Sequence, residues 1–291
     1  MTPIDRALAL PIWRGKAEAV PLGGGITNSN FLVTDALLRA VVRIGEDIPA
    51  HHILRFNERA ASQAAYQAGI SPEVIYHAPG VLVIDFIDGR TMTAADLRQP
   101  DCLRAALDLV IRAHRDMPHH LRGAGLAFWV FQVLRDYRAT LQSAASRHLP
   151  ILPGLLDAAA GLEAAVGRID MVFGHNDLLP ANFLHDGKRM WLIDWDYAGW
   201  GSPLFDLGGL AANAGLDPAA EAEMLATYFN RDPDADLWRS YRAMKAAAAL
   251  REAMWSMVQE TRSTLDFDYA AYTATHLKTY REALAAFEAG A

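Results

Sequence analysis

The segment GHNDLLPANFL, at residues 174–184, decides how the rest of the chain is interpreted. It places Asp177 and Asn182 in one loop, and the later segment IDWDYAG, at 193–199, places Asp194 at the end of an apolar run. Magnesium prefers oxygen ligands and usually keeps waters and substrate phosphate oxygens beside a few protein groups. Asn182 and Asp194 are therefore predicted to bind Mg²⁺, which leaves Asp177 to accept a proton from a hydroxyl group.

This order and spacing indicate transfer of a phosphoryl group from a metal-bound nucleotide, because positioning and charge neutralisation are most of what that reaction requires. The alternative is that these residues only form turns, since Asp and Asn after strands commonly bond their own backbone. The pattern has four parts in a fixed order: the sequence HND, an asparagine five positions after Asp177, a predicted hairpin, and an aspartate after an apolar strand. Such an ordered pattern favours the catalytic interpretation. His175 is expected to hold backbone groups of the loop and to take no part in the chemistry.

A glycine-rich segment near the N-terminus supports nucleotide binding. The stretch LGGGITNSNFLV, at 22–33, joins two predicted strands, which excludes phosphate loops of the Walker and dinucleotide types because those lead into a helix. It fits a hairpin folded over phosphates, in which glycine allows close approach of the backbone and polar side chains donate hydrogen bonds. The residues predicted to contact the nucleotide here are Gly24, Gly25, Thr27, Asn28 and Ser29.

Arg43 is the second upstream signal. It lies in the apolar strand LLRAVVRIG, at 37–45, where a charge requires a partner, and Glu58 on the following predicted helix is the candidate. Such a pair is typical of kinases, in which a basic residue held by a glutamate contacts the nucleotide phosphates. The alternative is an edge-strand arginine in solvent, which the other motifs make the weaker interpretation.

Composition limits the possible functions. The chain has 291 residues, 52% of them hydrophobic and 21% charged, and a net charge of −7, so it is globular and has no excess of basic residues for nucleic acid. Its single cysteine, Cys102, excludes a disulfide within the chain. Without a signal-like start or a long apolar run, the sequence predicts a cytoplasmic protein that does not bind membranes. Whether it is a monomer or a homodimer is left open.

Elements predicted along the chain divide it into two parts. Residues 1–87 contain five short predicted strands, with a hairpin at 73–87 and one helix at 53–70. Residues 88–291 are mostly helical, with a small group of strands inserted around the segment 171–194. The predicted fold class is therefore α+β with two lobes: a small antiparallel β lobe at 1–87 and a larger, mostly helical lobe at 88–291.

Taken together, these motifs resemble the choline/ethanolamine kinase family, which is part of the aminoglycoside-phosphotransferase-like group with a protein-kinase-like fold. The motifs are GGGITNSNF, VVRIG, GHNDLLPANFL and IDWDYAG, and the resemblance extends from about residue 22 to about residue 280. It implies ATP and Mg²⁺ as cofactors, Asp177 as the catalytic base, and Asn182 and Asp194 as magnesium ligands. It also implies that Arg43, paired with Glu58, contacts the ATP phosphates.

The same resemblance assigns the adenine to the segment VIDFIDG, where Asp85, Phe86 and Ile87 match the family's hinge between lobes. The family also encloses an ammonium alcohol in a cage of aromatic faces with a nearby carboxylate. The residues that match this acceptor site are Asp196, Tyr197, Glu252, Trp255, Tyr269 and Tyr272. One departure stands out: eukaryotic-type choline kinases have a second tryptophan one turn before Trp255, where this sequence has Arg251-Glu252-Ala253. It puts choline in doubt while leaving the kinase chemistry unaffected.

The predicted function is therefore phosphorylation of the hydroxyl of a small amino alcohol, with choline or ethanolamine as the first candidates. The alternative on the same fold is a kinase of another hydroxyl compound, such as an aminoglycoside, thiamine, homoserine or a sugar. An aminoglycoside site would need several carboxylates, and the C-terminal helices contain Glu252, Glu260, Asp266 and Asp268. A protein kinase is disfavoured because no activation segment follows IDWDYAG, and a non-catalytic nucleotide-binding protein because all three central residues are present.

Overall fold

A computed structural model describes residues 1–23, 28–263 and 265–290. Three residues predicted to contact the nucleotide, Gly24, Gly25 and Thr27, lie outside the described residues. The other predicted site residues lie within them.

The N-terminal part contains a five-stranded antiparallel sheet. Numbered along the chain, the strands lie side by side in the order first, second, third, fifth and fourth, so the third strand lies at the centre. Alternate residues of the third strand, Ala40, Val42 and Ile44, lie in the core of the sheet, and Val42 is opposite Val83 of the fifth strand. A tight turn at Gly80, with φ of 66°, joins the last two strands. The strands are β1 (Glu18–Leu22), β2 (Ser29–Thr34), β3 (Arg39–Ile44), β4 (Val74–Ala78) and β5 (Val81–Asp85).

Two helices flank this sheet. Helix α1 (Pro3–Leu8) contacts β1, β2 and β3, and its Ala7 is part of a small core with residues of these strands. Helix α2 (Arg55–Gln67) packs against β4, and its Ala61, Ala64 and Ala65 belong to the large core of the helical part. The sheet is therefore coupled through α2 to the rest of the molecule.

Four helices of the second part pack against one long helix. The 28-residue helix Ala235–Arg262 contacts the helices Val130–Ser143, Leu152–Val166, Pro203–Ala214 and Tyr269–Ala289, and a run of buried alanines at 246–249 lets these neighbours approach closely. Its N-terminus is capped by Asp234, whose side chain accepts a hydrogen bond from the backbone of Leu237. The helices are α3 (Ala94–Leu97), α4 (Pro100–His120), α5 (Val130–Ser143), α6 (Leu152–Val166), α7 (Pro203–Ala214), α8 (Pro218–Phe229), α9 (Ala235–Arg262) and α10 (Tyr269–Ala289).

Short strands hold the central loops at one edge of the helical part. Strands β6 (Arg90–Thr91), β8 (Phe183–His185) and β9 (Met190–Leu192) form a three-stranded sheet, and β7 (Val172–Gly174) pairs with β10 (Gly199–Gly201). The loop that contains Asp177 runs from β7 to β8, and Asp194 follows β9 directly. Both segments are therefore fixed at each end by strand pairing.

The predicted α+β class, with a small antiparallel sheet before a mostly helical part, is confirmed. The helix predicted at 53–70 is shorter because Ile53 forms a bridge with Ile48 before α2 begins. The β7–β10 pair was not predicted. Among the helices of the described ranges, none is long and apolar enough to cross a bilayer.

Candidate active site

A buried carboxylate holds the loop after β7. Asp206, in the first turn of α7, accepts hydrogen bonds from the backbone of His175 (2.8 Å) and Asn176 (2.7 Å) and from His114 Nε2 (2.8 Å). Burial alone would raise the pKa of Asp206, but these donors outweigh it and hold the pKa below its usual value. Gly174 permits the approach, because a Cβ there would lie 2.9 Å from Asp206 Oδ2.

This brace sets the backbone of the loop in an unusual conformation. Asn176 has φ of 63°, in the left-handed region, and its side chain donates a hydrogen bond to the carbonyl of Tyr197. His175 Nε2 donates to the carbonyl of Ile193, and its Nδ1 accepts from the backbone of Asp177. His175 thus holds backbone groups, as expected from its position, and the side chain of Asp177 projects from a fixed support.

Asp177 lies beside a cation that sequence reasoning missed. Its Oδ1 accepts a hydrogen bond from Arg251 Nη1 at 3.2 Å, and the same nitrogen donates to Glu252 Oε2 at 2.9 Å. Burial is the main cause that raises the pKa of Asp177 to about 7; Arg251 opposes this rise, and the carboxylates of Glu252 and Asp194 add to it. A carboxylate with such a pKa is suited to accept a proton near neutral pH.

Asn182 and Asp194 lie next to Asp177. The Asn182 side chain donates from Nδ2 to the backbone carbonyl of Asp177 at 2.8 Å, which fixes its amide and orients its Oδ1. The backbone of Ile193 donates to the carbonyl of Asn182, so the two metal-binding candidates are joined by main-chain contact. Asp194 has φ of 71°, a conformation that is unusual for a residue with a side chain and is common at functional sites.

Arg43 lies at the centre of a network of buried charges. Its Nε is 3.3 Å from Glu58 Oε1, as predicted, and its Nη2 donates to Asp194 Oδ1 (2.9 Å) and Asp196 Oδ1 (3.2 Å). Burial disfavours the charge on Arg43, but the three carboxylates outweigh it and raise its pKa. Arg55 is a second cation in the network and donates to both Glu58 and Asp196.

A cavity of about 460 Å³ lies between the sheet and the helical part. The predicted hinge residues Asp85, Phe86 and Ile87 line one side of it, and Arg43 lines another. Ser29 and Glu58 are not among its lining residues, so Glu58 acts on this cavity only through Arg43. Its size and its mixture of apolar walls with a few polar groups are typical of a small-molecule site.

A smaller cavity of about 110 Å³ adjoins the first on the side of α9 and α10. Asp177 lines it, together with five of the six predicted acceptor residues, which are Asp196, Tyr197, Glu252, Trp255 and Tyr272. The sixth, Tyr269, lies behind Trp255, with ring centroids 6.3 Å apart, and does not line the cavity. Asn28 lines this cavity instead of the larger one, and its Nδ2 donates to Asp196.

Hydrogen bonds hold the walls of the small cavity. Trp255 Nε1 donates to the Tyr197 hydroxyl at 2.9 Å, and the Tyr272 hydroxyl donates to Glu252 Oε1 at 2.7 Å. The guanidinium carbon of Arg251 lies 4.2 Å from the centre of the Tyr197 ring. The wall is therefore a mixture of aromatic faces and paired charges, which differs from an all-aromatic cage.

The two cavities meet at the predicted magnesium ligands. Asn182 and Asp194 line both, whereas Asp177 lines only the smaller one. Asp194 is 34% exposed at its side chain, and within the described ranges its Oδ2 makes no hydrogen bond. In the part of the chain that the structure describes, no three His, Cys, Asp or Glu side chains form a metal cluster. One carboxylate and one amide oxygen nevertheless fit Mg²⁺, which takes its other ligands from phosphates and water.

Arg55 and Arg251 are the site residues that sequence reasoning missed. Arg55 stands one helical turn before Glu58, a spacing that predicts contact between the two side chains. Arg251 directly precedes Glu252 in the segment LREAMW. No feature of the sequence near Arg251 predicts its contact with Asp177, because that contact depends on how α9 packs against the loop after β7.

Comparison with protein-family models matches residues 18–244 to the phosphotransferase enzyme family. The chain belongs to this family. The matched range includes Asp177, Asn182 and Asp194, and it ends before Glu252 and Trp255.

Individual proteins with assigned names are also similar to this chain in sequence. Protein LicA of Haemophilus influenzae is 28% identical over 215 residues, which span 72% of this chain and 62% of LicA. The probable ethanolamine kinase of Arabidopsis thaliana is 24% identical over 297 residues, spanning 90% of this chain and 78% of that relative.

Solved structures agree with this assignment. A choline/ethanolamine kinase family protein from Mesorhizobium loti superposes with a TM-score of 0.77 at 26% identity, covering 98% of both chains. The choline kinase LicA from Streptococcus pneumoniae also has a TM-score of 0.77, at 18% identity, covering 96% of this chain and 98% of that one. The resemblance to the choline/ethanolamine kinase family is thus confirmed, and with it the class of enzyme, a small-molecule kinase.

Proposed function

We propose that the protein transfers the γ-phosphoryl group of ATP, with Mg²⁺, to the hydroxyl of a small amino alcohol. The main support is the arrangement of the two cavities, which share Asn182 and Asp194 and differ in that only the smaller one is lined by Asp177. A phosphoryl group that passes from a nucleotide in the larger cavity to an acceptor in the smaller one crosses this shared wall. The base, Asp177, is then on the acceptor side, where the reaction requires it.

The transfer forms one bond to phosphorus, breaks another and releases one proton. The acceptor hydroxyl oxygen forms a new bond to the γ-phosphorus, while the bond from that phosphorus to the β–γ bridging oxygen breaks and ADP leaves. The hydroxyl proton passes to the carboxylate of Asp177. Arg251, bonded to the same carboxylate, favours the ionised form that accepts the proton.

The larger cavity would hold ATP, with the adenine against the hinge residues Asp85, Phe86 and Ile87. Arg43 would contact the phosphates, and Glu58 and Arg55 would fix its position through their ion pairs. Magnesium bound by Asn182 and Asp194 would neutralise charge on the phosphates. A LicA structure in complex with AMP has the same fold, which supports the assignment of the larger cavity to a nucleotide.

The size of the smaller cavity favours a small acceptor. A volume of about 110 Å³ is well below the roughly 300–1,000 Å³ of sites for drug-sized ligands, so an aminoglycoside is disfavoured. Glu252 and the aromatic rings around it would bind an ammonium group. Relatives named choline kinase or ethanolamine kinase make these two amino alcohols the first acceptors to test.

In this proposal the chain works as two lobes, residues 1–87 and 88–291, with ATP between them. The hinge segment would join the lobes, and the acceptor would bind wholly on the side of the second.

Asp177→Asn tests the assignment of the base. The variant keeps the shape of the side chain but removes its ability to accept a proton, so kcat should fall by about 10²- to 10⁴-fold. Binding of ATP, measured by calorimetry in the presence of Mg²⁺, should stay within about threefold of the original protein, because Asp177 does not line the larger cavity. Full activity in this variant would refute the mechanism.

A further inference from the structure

Arg251 is an unusual residue for a site that binds only a cation. It belongs to helix α9, is 3% exposed, and lines the acceptor cavity. A single nitrogen, Nη1, makes its ion pairs with both Asp177 and Glu252. Its Nε and Nη2 are buried and have no hydrogen-bond partner among residues 1–23, 28–263 and 265–290. Buried N–H groups usually have an acceptor, so these two leave hydrogen-bonding capacity in the wall of the cavity for a bound group.

The same side chain occupies a surface that a quaternary ammonium would need. A trimethylammonium group binds on the faces of aromatic rings, and the guanidinium of Arg251 already lies over the ring of Tyr197. One turn before Trp255, the wall presents the carboxylate of Glu252. The cavity is therefore built for hydrogen bonds between charged groups more than for enclosure of a methylated cation.

We infer that the acceptor is an amino alcohol that also has a carboxylate, which makes it a hydroxylated α-amino acid. This inference rests on the proposed function and names the substrate class of the same site. The free N–H groups of Arg251 match a carboxylate, which arginine binds with two parallel hydrogen bonds. Glu252, held by the Tyr272 hydroxyl, binds the ammonium group. The acceptor hydroxyl lies at Asp177, which Arg251 contacts directly.

Charge balance is consistent with this assignment. Arg251 and Glu252 are adjacent and of opposite sign, and an α-amino acid presents an ammonium and a carboxylate that are also adjacent and of opposite sign. Each charge of the ligand meets its complement, and the net charge of the site does not change. If Arg251 served only to balance buried carboxylates, an acceptor without a carboxylate would be phosphorylated equally well.

Two pairs of acceptors test the inference with the protein as it exists. Serine differs from ethanolamine, and homoserine from 3-aminopropan-1-ol, only by the carboxylate. With Mg²⁺ and ATP, kcat/KM should be at least about tenfold higher for one or both amino acids than for the matched amino alcohol, because hydrogen bonds between charged groups are strong. Phosphorylation of the amino alcohols at equal or greater kcat/KM would overturn the inference and leave the proposed function standing. Phosphorylation of none of the four, nor of choline, would overturn both.

Variants of Arg251 then identify the residue responsible. Arg251→Met should lower kcat/KM for the amino acid much more than for the matched amino alcohol. The ratio of the first kcat/KM to the second should therefore fall toward one. Arg251→Lys keeps the charge without the paired N–H groups and should give an intermediate ratio. Arg147→Met, at an exposed arginine that pairs with Glu260, is the matched control and should keep the original ratio. A ratio unchanged in a folded Arg251→Met protein would refute the assignment, and if that variant does not fold, the lysine variant and the acceptor pairs decide it.

Discussion

Replacement of Asp206 by asparagine should loosen the loop that presents Asp177. In the original protein Oδ2 accepts two hydrogen bonds, from His175 N and His114 Nε2, and Oδ1 accepts one from Asn176 N. An asparagine has one oxygen. If it keeps the two donors, its NH₂ group faces the backbone N–H of Asn176, and a buried donor is left without an acceptor.

The expected loss of stability in this variant follows from these contacts. One unsatisfied buried donor costs about 1–3 kcal/mol, and loss of the negative charge weakens the two remaining bonds by about 1 kcal/mol or more in total. We therefore expect Asp206→Asn to lower the free energy of unfolding by about 3 kcal/mol, which most domains of this size tolerate. Since the lost support is under Asp177, kcat should fall about 10- to 100-fold, while the KM for ATP changes little.

Urea unfolding and steady-state kinetics on the same preparations measure both effects. Asp217→Asn is the control, because Asp217 caps α8 through Ala220 N and asparagine caps helices as well as aspartate does. That variant should stay within about 0.5 kcal/mol of the original stability and keep its kcat. An Asp206→Asn protein with the original stability and kcat would refute the role assigned to the brace.

Three further predictions concern groups around the site. Burial lowers the pKa of His51 to about 4, so the unfolded chain binds more protons between pH 6.5 and about 4, and stability falls as the pH falls through this range. Between pH 7.5 and 5 the loss from this group should be about 2 kcal/mol by urea unfolding, and His51→Asn should lack it. Glu58→Gln removes the buried partner of Arg43 and should raise the KM for ATP about tenfold or more, because Arg43 is then less firmly held. Trp255→Phe removes the hydrogen bond to the Tyr197 hydroxyl and should raise the acceptor KM about fivefold while leaving that for ATP unchanged.

A control variant or a contradicting outcome tests each of these three expectations. His119→Asn changes an exposed histidine and should keep the original dependence of stability on pH, and an equal dependence in His51→Asn would exclude His51 as its source. An unchanged KM for ATP in Glu58→Gln would show that Arg43 does not depend on the pair. For Trp255→Phe, equal increases in both KM values would indicate general loosening of the site.

The contacts that the sequence made most predictable are those between residues of short contiguous motifs. Asp177, Asn182 and Asp194 lie close together because each stands in a loop fixed by an adjacent short strand, so local order along the chain predicts their meeting. The pairing of Arg43 with Glu58 was also predictable, since a charge in an apolar strand needs a partner on the helix that packs beside it.

Contacts that depend on packing between distant elements were not predictable in the same way. Arg251 is 74 positions from Asp177 and reaches it only because α9 passes beneath the loop after β7. Strands β7 and β10 have three residues each, too few for a period-two pattern to be recognised. Tyr269, which the family resemblance assigned to the acceptor site, lies one layer behind it because Trp255 stands between it and the cavity.

The most direct test of the central claim is phosphorus NMR of a reaction with Mg²⁺, ATP and a panel of acceptors. The panel contains choline, ethanolamine, serine, homoserine and one aminoglycoside, with Asp177→Asn as the inactive control. We expect a new phosphomonoester signal with a small amino alcohol, with or without a carboxylate, formed at the same rate as ADP, and no such signal in the variant. Phosphorylation of the aminoglycoside alone, or equal product from Asp177→Asn, would contradict it.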